Sequence, residues 1–163
     1  MRKIYLTILV VAASACAPII AVKPVAWTPD VGRRVCVKEN PVLIDPDLLP
    51  AIEAALTRNG LAWTTFPGSD HQGDHPEILA TPEEIPAGCD YVLTYVGFVS
   101  WDFAVYLYRA EFGVQDRTYR QVGDASFELE DGGGLTFSKF APTATKVGPV
   151  LDQLLSGVAP KPQ

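Results

Sequence analysis

The chain is expected to fold as a single α+β domain. The expected form is a two-layer sandwich with a mostly antiparallel sheet of about five strands and two helices on one face, in the order β-α-β-β-β-β-α. Three observations lead there. Apolar residues fall at helical spacing in two places, Leu48, Ile52, Ala55 and Leu56, and then Val147, Val150, Leu151 and Leu154. Between them, residues 91–129 hold runs rich in β-branched and aromatic residues, separated by short polar turns, as in an antiparallel meander. With 163 residues, 48% of them hydrophobic, the chain has enough apolar surface for one core.

Arg33 to Lys38 reads as the first strand, stopped by Asn40-Pro41. Asp45-Pro46-Asp47 announces the first helix, with Asp47 as its N-cap, so that Pro50 falls in the first turn, where its missing N–H does no harm. Asn59-Gly60 is a fitting stop, and Leu61 to Phe66 forms the second strand. Residues 67–88 make a polar, proline-punctuated loop, unusually long for a compact domain. Tyr91 to Val99 and Trp101 to Val114 are the third and fourth strands. In the latter, Trp101, Phe103, Val105 and Leu107 alternate with Asp102, Ala104, Tyr106 and Tyr108. Gln115-Asp116-Arg117-Thr118 turns the chain into a fifth strand, Arg120 to Leu129. Gly132-Gly133-Gly134 breaks the sheet, and a helix begins near Ser138, with Gly148-Pro149 set to kink it or delay its start. The domain spans residues 33–157, and 158–163 form a frayed tail.

Ahead of that domain the sequence gives an address. Arg2 and Lys3, an apolar run from Ile4 to Ala13 and small residues up to a cysteine have the order of a secretory signal peptide, residues 1–15. Ala13-Ser14-Ala15-Cys16 resembles a bacterial lipobox, in which the cysteine is lipidated and becomes the new N-terminus; Ala13 stands where that motif usually has Leu. No charge lies between Lys3 and Lys23, so an uncleaved anchor from Ile4 to Val22 is the alternative. Several acyl chains, each contributing about 0.8 kcal/mol per buried methylene, make an effectively permanent anchor. Ala17, rather than Asp, follows the cysteine, which resembles lipoproteins sorted to the outer membrane. Residues 16–32, with Pro18, Pro24 and Pro29, read as a tether whose Ile19, Ile20, Val22, Val25 and Trp27 are apolar enough for part of it to pack on the domain.

The chain carries 13 Lys and Arg against 19 Asp and Glu, a net charge of -6 that becomes -8 once Arg2 and Lys3 are removed. No basic cluster remains, which argues against a nucleic-acid surface. With Cys16 taken by lipid, Cys36 and Cys89 are left as an even pair in an oxidising compartment. A bridge between neighbouring strands would close a loop of about 53 residues and contribute roughly 4 kcal/mol. Two buried free thiols are the alternative.

Few residue patterns point to chemistry. Asp70, His71, Asp74 and His75 gather both histidines beside two carboxylates in the long loop, a donor set that suits a divalent transition ion. Gly73 and Pro76 oppose the helical turn that would align them, and a solvated loop is the competing reading. The Gly132-Gly133-Gly134 run lacks P-loop spacing. No nucleophile elbow is present, Glu128 and Glu130 read as a wet face, and Asp102 reads as a turn residue. Trp101, Tyr106 and Tyr108, with Tyr95, enrich the central strands in amphipathic rings; exposed, such a patch marks a binding surface, and the alternative is that Trp27 and the proline tether fold back and cover it.

Val35-Cys36-Val37-Lys38-Glu39-Asn40-Pro41, Trp101-Asp102 through Ala110-Glu111, Gly123-Asp124-Ala125, and Gly132-Gly133 with Ser138-Lys139-Phe140 resemble a family of small Gram-negative lipoproteins, the Sbal-type lipoproteins. The resemblance spans most of residues 34–155. It implies a lipoprotein with cysteines near Cys36 and Cys89, and no activity. Pro142 and Pro149 depart from its pattern. The expectation is therefore a non-enzymatic, lipid-anchored envelope module facing the periplasm. It has no cofactor beyond the lipid at Cys16, and its partners are the membrane and an envelope protein. Metal binding through the 70–75 cluster is the alternative.

Overall fold

The computed structural model describes residues 17–28, 31–41, 45–68, 85–130 and 137–157. These form β1 (Ile19–Lys23), β2 (Arg34–Lys38), α1 (Leu48–Arg58), β3 (Ala62–Phe66), β4 (Tyr91–Asp102), β5 (Ala104–Asp116), β6 (Gln121–Glu128), a short 3-10 helix (Phe137–Phe140) and α2 (Thr143–Leu155). The strands make one sheet in the order β1-β6-β5-β4-β2-β3.

The α+β class holds, with two differences from expectation. The sheet has six strands, because part of the segment read as tether, Ile19–Lys23, pairs antiparallel with β6 along its whole length. The sheet is also mixed: β2 lies parallel to both β3 and β4, while the β4–β5, β5–β6 and β6–β1 pairs are antiparallel. The parallel pairing of β2 with β3 follows from α1, which carries the chain back to the end of the sheet where β2 began.

Helix α1 buries Leu48, Ala51, Ile52, Ala55 and Leu56, the stripe expected from the sequence. Asp47 occupies the N-cap position but makes no side-chain cap bond; the Asp45 carboxylate accepts the Asp47 N–H at 3.0 Å instead and takes the Thr143 hydroxyl at 2.8 Å. At the other end, Gly60 has φ +68°, the Gly60 N–H bonds the Thr57 carbonyl and the Leu61 N–H bonds the Leu56 carbonyl. Both bonds of a Schellman motif are thus made around a residue whose missing side chain permits the left-handed turn. Helix α2 continues through Pro149, whose ring and the freed Thr145 carbonyl sit on an exposed face where water can serve the backbone. Arg58 and Asn59 both reach Asp152, at 3.0 and 3.1 Å, and tie the two helices together.

The core lies between helices and sheet, where Val37, Leu93, Phe112, Phe127, Ile52 and Leu151 are almost wholly buried. After β1 the chain crosses back over the core. The Val25 N–H bonds the last-turn carbonyl of Leu154 at 2.8 Å, and the Ala26 N–H bonds the Val122 carbonyl at 3.0 Å. A Cβ on Gly123 would lie 2.9 Å from the Val25 Cα, so only glycine allows this crossing. Trp27 then meets Tyr91 edge to face, with centroids 4.7 Å apart.

Cys36 alternates with Val35 and Val37 and so faces away from the helices. There it forms a disulfide with Cys89, just before β4, across a Cα separation of 5.7 Å, and packs with Phe66 and Val92. The bridge joins neighbouring segments, as expected, and those segments run parallel.

Candidate functional site

The two tight hairpin turns differ sharply in chemistry. At the turn between β5 and β6, one Asp116 carboxylate oxygen accepts the Thr118 N–H at 2.8 Å, the Thr118 hydroxyl at 2.6 Å and the Arg120 N–H at 3.2 Å, and the other accepts the Arg120 guanidinium at 3.0 Å. Burial acts to raise the Asp116 carboxyl, but these donors outweigh it and hold it below the usual carboxylate range. That turn satisfies itself.

Both turns hold an exposed aromatic residue at positive φ, Tyr119 in the first and Phe103 in the second, but the turn between β4 and β5 is surrounded by apolar side chains. Asp102 pairs with Ala104 and leaves Phe103 alone outside the ladder, so the chain reverses at Phe103, beside the Asp102 read as a turn residue and within the strand expected to begin at Trp101. Phe103 adopts φ +62°, a left-handed conformation that a bulky side chain disfavours. It is 91% exposed; Trp101 and its cross-strand partner Val105 are 73% and 62% exposed. With aromatic side chains carrying about 150–250 Å² each, the tip offers on the order of 400 Å² of apolar surface, comparable to the largest patch on a typical monomer. Neither the backbone conformation nor the exposure helps the fold; such local conflicts tend to mark function.

The tip is held firmly from below. Asp102 is ion-paired with Lys139 of the 3-10 helix, whose side chain is only 5% exposed. Lys139 lies over the rings of Phe140 and Tyr106, at 5.3 and 5.6 Å from their centroids, and those rings meet edge to face. Lys146, from α2, lies 5.7 Å from the Tyr106 ring and donates to the carbonyls of Leu107, at 2.9 Å, and Lys139. Burial pushes the Lys146 ammonium below its ordinary value, against the opposing pull of Asp45. Two of its three hydrogens serve main-chain carbonyls, so it acts as a brace beneath the hairpin. A cavity of about 250 Å³ opens beside it, lined by Asp45, Val99, Val105, Tyr106, Phe140 and Lys146.

A second cavity, of about 440 Å³, lies over the disulfide between Ile85–Val92 and the Asp116–Tyr119 turn. Its Asp90 carboxylate is already committed, accepting the Arg34 N–H at 3.0 Å and pairing with Arg117.

Of the aromatic residues singled out from the sequence, Trp101 is exposed, Tyr106 is buried beneath Phe140 and the lysines, and Tyr108 is half-buried against Phe98. They share no single surface. Alternation already sets Trp101 and Tyr106 on opposite faces, and a β-bulge displaces Tyr108: Phe98 pairs with Arg109 and Val99 with Leu107, which leaves Tyr108 outside the ladder. Phe103, Val105, Lys139 and Lys146 were missed. The two apolar residues were legible as part of the Trp101–Val105 run, but the lysines come from a distant segment. Cys16, the 70–75 cluster of Asp70, His71, Asp74 and His75, the Gly132–Gly134 run and the 158–163 tail lie outside the described residues. Among the described residues, no group of three or more His, Cys, Asp or Glu could hold a metal ion, and no helix is long and apolar enough to cross a membrane.

No family model matches the chain, and no curated protein matches it. Solved structures do. A leucine-to-methionine variant of the PelC dodecamer from Paraburkholderia phytofirmans is 14% identical, with a TM-score of 0.52 over 85% of this chain and 97% of that one. A second crystal form of the PelC dodecamer from the same organism is 13% identical, with a TM-score of 0.52 over 84% and 98%. TolB from Acinetobacter baumannii, at 19% identity and a TM-score of 0.41, is matched over 32% of its length. At these identities the PelC likeness establishes a shared fold.

Proposed function

We propose that this chain is a lipid-anchored envelope module of bacterial cells, related to the Sbal-type lipoproteins, which acts by binding rather than by catalysis and works close against the membrane. The observation that carries this reading is the position of β1. Ile19 is already bonded into the sheet opposite Glu128, three residues after the lipobox cysteine. Three residues span at most about 11 Å, so a lipid on Cys16 would hold the domain directly at the bilayer surface, without a flexible tether. The disulfide between Cys36 and Cys89 supports an oxidising compartment such as the periplasm. The exposed tip supplies a contact surface at the hairpin, and Asp90, Asp102 and Lys146 are each engaged in holding the fold.

The test is the mass of the native N-terminus together with membrane fractionation. The expected mass lacks Met1 to Ala15 and carries acyl chains on Cys16, and Cys16→Ser abolishes that modification. A native chain retaining Met1 with no acyl mass sinks the reading. Because the PelC chains of similar fold are dodecamers, self-association is measured on the same preparation in detergent.

A further inference from the structure

We infer that the tip of the β4–β5 hairpin, Trp101 to Val105, inserts into the same bilayer that holds the Cys16 lipid and serves as a second, noncovalent anchor. The inference rests on the anchored reading for its orientation, and on strand direction for its geometry.

Strand β1 runs antiparallel to β6, which runs antiparallel to β5, so β1 and β5 point the same way. The chain upstream of Ile19 therefore leaves the sheet at the end where β5 begins, which is the hairpin tip. Ile19 sits opposite Glu128, Glu128 opposite Arg109, and Arg109 opposite Phe98, so all four lie at one level of the sheet. Phe103 lies five residues beyond Phe98, or about 17 Å at roughly 3.3 Å per residue. Cys16 lies at most about 11 Å beyond Ile19. Even with that linker fully extended, the tip projects about 6 Å further than the lipidated residue, within the roughly 5–10 Å by which interfacial segments enter a bilayer.

The chemistry of the tip suits that depth. Trp101 is a ring type that anchors at membrane interfaces, and Phe103 with it is typical of the apolar face of interfacial segments. The only charged side chain between Val99 and Val105, Asp102, is paired with Lys139, so the tip enters without net charge. A protein partner is the weaker occupant. A stable protein interface takes about 800 Å² from each side, roughly twice what the tip offers. The net charge of the lipidated chain, -8 after Arg2 and Lys3 are removed from the -6 of the full sequence, points to zwitterionic rather than anionic headgroups.

The test uses the native lipidated chain, reconstituted into vesicles of phosphatidylcholine and phosphatidylethanolamine whose acyl chains are brominated in one of two parallel preparations. Bromine quenches tryptophan only at short range. The difference between wild type and Trp101→Phe isolates Trp101 from Trp27 and Trp63. Insertion predicts that Trp101 loses the larger part of its emission in brominated vesicles, and that Phe103→Asp restores it without changing the N-terminal mass. Phe103 is exposed, and Asp tolerates its backbone angles, so that variant folds. Lipidated protein whose Trp101 keeps its full emission overturns the inference and leaves the anchored reading intact. A crosslink from position 103 to a second copy or to another protein, with Trp101 unquenched, gives the tip a protein occupant and overturns it as well. Quenched Trp101 on a chain without the Cys16 lipid sinks the anchored reading and upholds insertion.

Discussion

Lys139 and Asp102 are paired across 37 residues of chain, with the ammonium almost wholly buried and the carboxylate 39% exposed. The pair ties the apolar hairpin tip to the 3-10 helix ahead of α2. It explains how so small a turn can stay fixed while presenting aromatic rings to its surroundings.

Asp102→Asn is accordingly expected to destabilise the fold, because it removes the carboxylate charge paired with a buried ammonium. Breaking a fully buried pair costs about 3–5 kcal/mol; the exposure of Asp102 lowers the expectation to about 1–3 kcal/mol. Urea unfolding measures it. In a double-mutant cycle, Lys139→Met should recover part of the loss, and strict additivity would show that the two side chains do not interact.

The tip itself should behave in the opposite way. Phe103 contributes almost no packing and sits in a left-handed conformation that costs a non-glycine residue roughly 1–2 kcal/mol. Phe103→Gly removes that strain but also loosens the unfolded chain, so thermal unfolding should give a net change between zero and about 1 kcal/mol in favour of the variant. A clear loss of stability would mean that the ring supports the fold and that its exposure is not a functional cost.

Much of this fold was legible from the sequence. Both helix stripes, Leu48–Leu56 and Val147–Leu154, emerged from simple periodicity because each buries one face against one sheet. Strand β1 was not legible. Ile19 and Ile20 follow the apolar leader without a break, Pro18 and Pro24 flank them, and their pairing partner in β6 lies more than a hundred residues away. The hairpin was legible only in part. Asp102 reads as a turn residue, but Trp101 to Val105 alternates like an uninterrupted strand, so the point of reversal at Phe103 shows only in the pairing of Asp102 with Ala104. No local signal could have disclosed the lysines beneath it, since Lys139 and Lys146 meet Tyr106 through tertiary packing.

Removing the disulfide tests how much of the parallel half of the sheet depends on it. A Cys36→Ala, Cys89→Ala double variant should lose roughly 4 kcal/mol, the value for a loop of about 53 residues on the chain-entropy model. The loss should be read by urea unfolding under oxidising conditions. Wild type treated with a reductant should fall to a similar midpoint. An unchanged midpoint in both cases would show that the pairing of β2 with β4 and the Phe66–Val92 packing hold this edge without the bridge.

The Asp116 turn makes the fold sensitive to acid, and the sign can be worked out. Its carboxyl titrates lower in the folded chain than in the unfolded one, because the Thr118 and Arg120 donors favour the charged form despite burial. The stability it contributes is therefore fully present above the ordinary carboxylate value of about 3.9. That contribution is lost as the pH falls through the depressed folded value. Asp116→Asn keeps the shape of the turn but weakens its charge-assisted bonds. It should cost about 1–2 kcal/mol at neutral pH, and the guanidinium of Arg120, which is largely exposed, should account for little of that. The gap between wild type and variant should then close as urea unfolding is repeated from about pH 6 down to about pH 2.5, since protonated Asp116 is itself a neutral side chain. A gap that stays constant across that range would show that the turn depends on the geometry of Asp116 and not on its charge.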